Sequence, residues 1–339
     1  MAREIFASAP TRIDFGGGTL DIHPIYLYFD GGITINAAIN LDSQVWLTGR
    51  ADDTITIRSI DTGHTLECDG GVAALPLTGP LALITRMLRY YRPAGGLDVA
   101  TKLLPPHGSG LGASSALIIT LAHALLAYHG KSDDPQRIIR ICNNLEAQLM
   151  GMPAGQQDYY PPTYGGINAV HYDIEGVRVE SLDPDGAFLP VLQEHVLVTY
   201  TNITHHSGMT NWQKIRNYFD GVERTVESFR RIKATVSLFY DAFKTRDIAR
   251  IAELLNTEWE NRKGLSDGVT NPDIDRMVAA ARAAGAWASK LCGAGGGGCM
   301  MTIVPPDRRA AVLAALEAEG ASALDVRLVR DGVSVTVNA

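Results

Sequence analysis

Apolar positions alternate with polar ones in short runs over roughly the first third of the chain and then switch to helical spacing, so the two stretches predict different elements. Ile5 to Phe15 reads as a strand ending in Gly16, Gly17 and Gly18. Behind the glycines, TLDIHP carries Asp21 and His23 on a turn, and GGITINAAINLDSQVWLTGR supplies β-branched runs suited to one antiparallel sheet. TITIRSID adds another strand, Leu75 to Tyr91 has closer to helical spacing, and LDVATKLLP returns to strand. Ser114 to about Tyr128 reads as a helix stopped by Gly130. Its composition, ALIITLAHALLAY, is apolar nearly all round, as for a helix buried between layers.

Asp134 and Pro135 then read as the cap and first residue of another helix. Ile138, Ile139, Cys142, Leu145 and Leu149 form its apolar stripe, and Glu146 follows Cys142 by one turn, which directs its carboxylate along that stripe. A buried acid needs a partner, and a cation is one candidate; the alternative is an edge position reaching water. GMPAGQQDYYPPTYGGINAV reads as loop, with Asp158 among amides and tyrosines, a setting for either a turn cap or chemistry.

From about Asp183 the composition shifts, which divides the chain into an N-terminal domain, 1–185, and a C-terminal domain, 186–339. The second part reads as the strand HVLVTYT and the loop NITHHSGMTN, then helices over Trp212–Thr235, Val236–Arg262 with a break near Thr245, and Ile274–Ala284 capped by Asn271 and Pro272. His205 and His206 are loop residues placed to touch substrate. Gly293 to Gly298 lies between strand-like WASKLC and CMMTIV, either as a flexible hairpin or as backbone passing close to a ligand. A helix from about Arg308 to Gly320 and strands DVRLVRD and VSVTVNA complete an α+β organisation.

Composition narrows the function classes. The 339 residues suit two domains or one large one, and 46% hydrophobic content supplies a core. Lys+Arg 30 against Asp+Glu 37 is mildly acidic, giving no electrostatic reason to expect nucleic acid or an anionic membrane. Cys68, Cys142, Cys292 and Cys299 form no CxxC pair and read as reduced thiols. With no signal segment and no long apolar run, a cytoplasmic protein, monomer or homodimer, is expected.

The candidate chemistry begins at PPHGSGLGASSALIITLAH, Pro105 to His123. Gly108, Gly110, Gly112 and Ala113 keep side chains away, so backbone N–H groups can approach an anion, and Ser114 and Ser115 open a helix whose dipole favours phosphate. A P-loop is excluded because Ala113, not lysine, precedes Ser114. Gly108-x-Gly110-x-x-Ala113 fits the dinucleotide fingerprint literally, but Pro105, Pro106 and His107 separate it from its strand. The acids about 20 residues on, Asp133 and Asp134, begin a helix rather than close a strand.

Three motifs together, APTRIDFGGGTLD, PPHGSGLGASSA and KLCGAGGGGCMMTIV, resemble the GHMP kinases, the family of galactokinase, homoserine kinase, mevalonate kinase and phosphomevalonate kinase. Within that family RIDFGGGTLD, GQQDYYPPTYGGIN and VTYTNITHHSG look most like bacterial D-glycero-D-manno-heptose 7-phosphate kinases. The resemblance implies a two-domain α+β fold, an N-terminal domain like domain 2 of ribosomal protein S5 and a ferredoxin-like C-terminal domain. It implies ATP phosphates over Gly108, Ser109, Gly110, Leu111, Gly112, Ala113, Ser114 and Ser115, and Mg²⁺ held by Ser115 and Glu146. Asp158 matches the catalytic aspartate and Arg12 the basic residue beside it. Asp21, His23, Gly17, Gly18, His205, Gly296 and Gly297 fall on the acceptor side, where a sugar or sugar phosphate would bind. His205 stands where heptose-phosphate kinases tend to carry Arg, and GGTD is spread to Gly18-Thr19-Leu20-Asp21, so an unphosphorylated sugar stays open as acceptor.

Overall fold

Strand β1 (Glu4–Gly16) and strand β2 (Gly32–Gly49) form the long antiparallel pair on which the site is built. A computed structural model describes residues 3–203 and 207–338. The ladder shifts register between Ala9 and Thr11 and between Asp14 and Gly16, and such bulges re-aim side chains at strand ends. β3 (Ile55–Ser59), β4 (Thr65–Cys68), the single turn α1 (Gly71–Ala74), α2 (Ala82–Tyr91) and β5 (Leu97–Leu103) follow. The helix expected from Leu75 starts only at Ala82, because Pro76, Gly79 and Pro80 interrupt the first turns.

Two helices carry the site from below. α3 (Ala113–Tyr128) is buried along nearly its whole length and packs on β1 and β2, as its apolar composition requires. α4 (Pro135–Met150) starts where Asp134 accepts a hydrogen bond from the Arg137 N–H, and it buries Ile138, Ile139, Cys142, Leu145 and Glu146. The loop that follows is shorter than expected: α5 (Tyr160–Tyr164) and the start of β6 (Ile167–Asp173) take up much of it, and β7 (Gly176–Ser181) comes next.

The remaining elements are α6 (Phe188–His195), β8 (Val196–Tyr200), α7 (Ser207–Phe219), α8 (Glu223–Lys244), α9 (Ile248–Lys263), α10 (Pro272–Ala283), β9 (Ala288–Leu291), β10 (Cys299–Ile303), α11 (Arg309–Ala318), β11 (Ser322–Ala323) and β12 (Ser334–Asn338). The helix expected over Trp212–Thr235 is broken at 220–222, where Gly221 takes a φ of 71°, whereas the break near Thr245 lies where it was read. Strands β11, β8, β10 and β9 form a second sheet in that order. DVRLVRD is not a strand: it makes one bridge, Leu328 to Ile39.

The last strand returns across the division expected at 185. β12 pairs with β1, Glu4 opposite Asn338 to Ser8 opposite Ser334, so the main sheet runs β12-β1-β2-β5-β3-β4 with β6 on β2 and β7 on β6. An alternating pattern identifies a strand but not the edge it joins. One core unites the halves: Ile13, Phe15 and Ile35 pack with Phe239, Phe243 and Leu255.

Candidate active site

The phosphate loop depends on left-handed backbone. Gly108, Gly110 and Gly112 have φ of 67°, 72° and 72°. A Cβ on Gly110 would lie 2.6 Å from the Cys292 carbonyl oxygen, and one on Gly112 3.3 Å from the Asp158 Cβ. Gly112 caps α3 without a side chain, so the first helical N–H groups, including those of Ser114 and Ser115, have no capping oxygen. Two of the eight expected residues are engaged within the protein: Leu111 is in the core with its carbonyl on the Arg12 N–H at 3.1 Å, and the Ser109 carbonyl accepts from Cys299 N–H at 2.7 Å. Both anchor the loop.

Glu146 and Ser115 come together as expected. Ser114 Oγ donates to Glu146 Oε1 at 2.6 Å, Ser115 Oγ to Oε2 at 3.0 Å, and the Tyr159 hydroxyl also donates to Oε2. Burial raises the Glu146 pKa, the three hydroxyls oppose that rise, and the charge of Asp158 adds to it. Tyr159 escaped the sequence reading although it adjoins Asp158. It is fully buried, and burial followed by the nearby carboxylate drives its pKa well up.

Arg12 and Asp158, 146 positions apart, meet directly: Arg12 Nε donates to Asp158 Oδ1 at 2.8 Å and Nη2 lies 2.7 Å from the same oxygen. Among the described residues Asp158 Oδ2 has no hydrogen-bond partner, and the side chain is 27% exposed. Arg12 Nη1 also donates to the Gly110 carbonyl, which joins the acid to the phosphate loop. Burial works against the Arg12 charge, but Asp158 and Asp14 outweigh it and raise its pKa.

The acceptor-side expectations fare unevenly. Asp21 is 2% exposed and accepts from the backbone N–H groups of Thr19 (2.8 Å), Gln156 (2.7 Å) and Gln157 (3.0 Å). These bonds brace the turn that carries Asp158. His23 is exposed against Tyr26, and His205 lies outside the described residues. Gly17 N–H donates to Glu258 Oε1 at 3.1 Å and the Gly18 carbonyl accepts from Arg262 Nη1 at 3.1 Å. Gly296 N–H donates to Val269, and a Cβ on Gly297 would collide with the Ile203 carbonyl, so this run is held by backbone on both sides.

Beneath these loops lies a charged network that the sequence reading did not single out. Asp14 accepts from Lys290 Nζ at 2.7 Å, both side chains enclosed, and from the half-buried Gly293 N–H at 2.8 Å. Burial alone would raise the Asp14 pKa; Lys290, Arg12 and Arg262 lower it. An acid inside TRIDFG and a lysine inside WASKLC, each amid apolar strand residues, were the available signal. An open cleft of about 1110 Å³ lies elsewhere, along α8 and α9 between Arg224, Glu227, Lys263 and Asp267.

Comparison with known proteins places this arrangement in a family. Residues 81–166 match the GHMP kinases N terminal domain and residues 239–322 the GHMP kinases C terminal domain. The chain belongs to the GHMP kinases, and it is an ATP-dependent phosphotransferase with an alcohol group as acceptor. It is 30% identical to a mevalonate kinase of Methanothermobacter thermautotrophicus over 77% of this chain and 80% of the relative. It is 27% identical to the D-glycero-alpha-D-manno-heptose 7-phosphate kinase of Campylobacter jejuni over 98% of both. A solved D-glycero-D-manno-heptose 1-phosphate kinase from Bacteroides thetaiotaomicron superposes with a TM-score of 0.80 at 23% identity, covering 98% of each chain. The α+β two-domain fold is thereby established. Among the described residues no helix is long and apolar enough to cross a membrane.

Proposed function

We propose that the chain transfers the γ-phosphoryl group of ATP to a sugar or sugar phosphate, with D-glycero-D-manno-heptose 7-phosphate, at its 1-position, as the preferred acceptor. The observation that carries the reading is the Arg12–Asp158 pair packed against Gly112 at the start of α3. It puts an acid with one open oxygen beside N–H groups suited to phosphate. The 27% identity to the Campylobacter jejuni heptose 7-phosphate kinase over nearly the whole chain supports the acceptor.

Phosphoryl transfer asks a protein mainly to position the reactants and neutralise charge. The N–H groups of 112–115 would receive the phosphates, Asp158 Oδ2 would align the acceptor hydroxyl and take its proton, and Arg12 would fix the carboxylate through Oδ1. Glu146 and Ser115 would hold a Mg²⁺ ion: both are hard oxygen donors, and they are brought side by side at the start of α3. Bound there, the ion would neutralise charge on the phosphate oxygens.

A neutral sugar is the second reading, favoured by His205 standing at the expected arginine position. A ligand sensor without catalysis is a more distant one, and Asp158, Ser115 and Glu146 all count against it. ATP consumption measured against a panel of sugars and sugar phosphates, with mevalonate and homoserine as controls, separates these readings. Turnover restricted to the heptose phosphate is expected. Preference for mevalonate overturns the sugar assignment, and ATP binding without turnover favours the sensor.

A further inference from the structure

Two cations are enclosed between α7, the Gly16–Gly18 turn and the second glycine run, and neither is fully matched by an anion. Lys214 is 0% exposed; its Nζ donates to the Ala294 carbonyl at 2.7 Å and to Asn211 Oδ1 at 3.4 Å, and no carboxylate among the described residues lies within ion-pair distance. Arg262 is 2% exposed and spends Nη1 on Gly18 and Nη2 on Gly293 at 2.6 Å, while its Nε has no partner among the described residues. Both side chains thus hold successive carbonyls of one loop.

The nearby acids are engaged elsewhere. Asp14 serves Lys290 and the Gly293 N–H, and Asp21 serves three backbone amides. Glu258 is 3.8 Å from Arg262, and burial pushes its pKa up to about 7 against the pull of Arg262 and Lys290, so near neutral pH it offers only part of a charge. Burial, then the like charge of Arg262, drives the Lys214 pKa well down. An enclosed ammonium without an anion is costly, and a second cation beside it adds to the cost.

The cluster also reaches the acid. A Cβ on Gly18 would lie 2.9 Å from both Arg262 Nη1 and Gln157 Nε2, and Gln157 precedes Asp158 in the same turn. Among the described residues buried Gln157 Oε1 and Asn36 Oδ1 lack partners, as groups awaiting acceptor hydroxyls would.

We propose that Lys214 and Arg262 receive a phosphate ester of the acceptor, and that this contact selects a sugar phosphate over the neutral sugar. The inference rests on the kinase reading above and names the residues that would read the acceptor's charge. The flexible lysine stem lets Nζ turn from Ala294 to an incoming oxygen, and Arg262 Nε adds a donor from its planar fork.

Lys214→Gln keeps a donor for Ala294 but removes the charge, and Lys214→Arg keeps the charge. With heptose 7-phosphate, Lys214→Gln should raise KM roughly ten- to a hundredfold with kcat little changed, Lys214→Arg should restore most of it, and the dephosphorylated heptose should show no such change. Calorimetric binding of inorganic phosphate, with a non-hydrolysable ATP analogue bound, should weaken by at least about tenfold in Lys214→Gln. Equal losses on the phosphorylated and neutral sugars, or unchanged phosphate affinity, overturn the proposal. If the wild type phosphorylates no sugar, the acceptor reading falls while the calorimetry still decides whether Lys214 holds a phosphate. Melting temperature identifies a misfolded variant; should Lys214→Gln misfold, Arg262→Gln in the same phosphate titration takes its place, with the same outcomes.

Discussion

The glycine-rich stretches at 108–113 and 293–298 look alike in composition and have opposite structural roles. In the first, glycines alternate with residues that anchor the loop, Ser109 by its carbonyl and Leu111 by its side chain, and the stretch opens directly into α3. In the second, Gly293, Gly295, Gly296, Gly297 and Gly298 all have positive φ, and the run leads into a strand. Its backbone lies on the first stretch: a Cβ on Gly298 would lie 2.6 Å from the Ser109 carbonyl oxygen, and one on Gly293 2.8 Å from that of Gly110. A glycine run becomes an anion site when a helix start supplies N–H groups; without one, glycine serves close packing.

The strongest test of the first stretch is the acid it supports. Asp158→Asn should lower kcat by about 10²-fold or more in a folded protein. A near-normal kcat would remove Asp158 from the role of base and leave the phosphate loop acting by position alone.

The second stretch can be probed through Glu258, whose neighbour Arg262 holds the Gly293 carbonyl. With Glu258 raised in the folded state to about 7 from an ordinary 4.5, the native protein holds the proton more tightly than the unfolded chain. Its contribution is therefore full below about pH 4.5 and is lost as pH rises through about 7, on the order of 3 kcal/mol in total. Arg262, Lys290 and Asp14 are the charges acting on it. Denaturant titrations from pH 4.5 to 7.5 should show this loss in the wild type and a flatter profile in Glu258→Gln; parallel profiles would contradict the assignment.

The contact between the stretches is tested by Gly110→Ala, which sets a Cβ 2.6 Å from backbone at a φ of 72°. It should cost about 2 kcal/mol of stability and weaken nucleotide binding. Gly268→Ala, also at positive φ but with nothing within 4 Å, should cost about 1 kcal/mol and leave binding intact. Equal losses would mean that backbone conformation, not packing, sets the requirement. The smallest effect is expected at a distant cap. Asn271 accepts from the N–H groups of Asp273 and Ile274, so Asn271→Ala should cost about 1 kcal/mol, read as a lower melting temperature, with kcat unchanged.

Legibility differs between the two sides for the same reason. The Asp134 and Asn271 caps, the buried α3 and the inward Glu146 were readable because each depends on neighbours within a turn or two. Tyr159 was not, since nothing local marks a tyrosine that will bond a carboxylate on α4. Nor does anything local mark the bonds that Asp21 accepts from backbone amides 135 and 136 positions away. The break at 220–222 was missed because helical spacing continues across it.

By itself, then, the sequence determined the local parts: a glycine-rich turn opening an apolar helix, an acid on the next helix, and a second glycine run between strands. Left-handed glycines, caps and periodicity depend on adjacent residues and survive in a bare string of letters. The tertiary structure decided the partners: Tyr159 with Glu146, Asp14 with a Gly293 N–H 279 positions away, and β12 with β1. The first two choices depend on which enclosed charges can be matched once the chain has closed, since burial makes an unmatched charge costly only in the folded molecule, and the third on which sheet edge the last strand can reach.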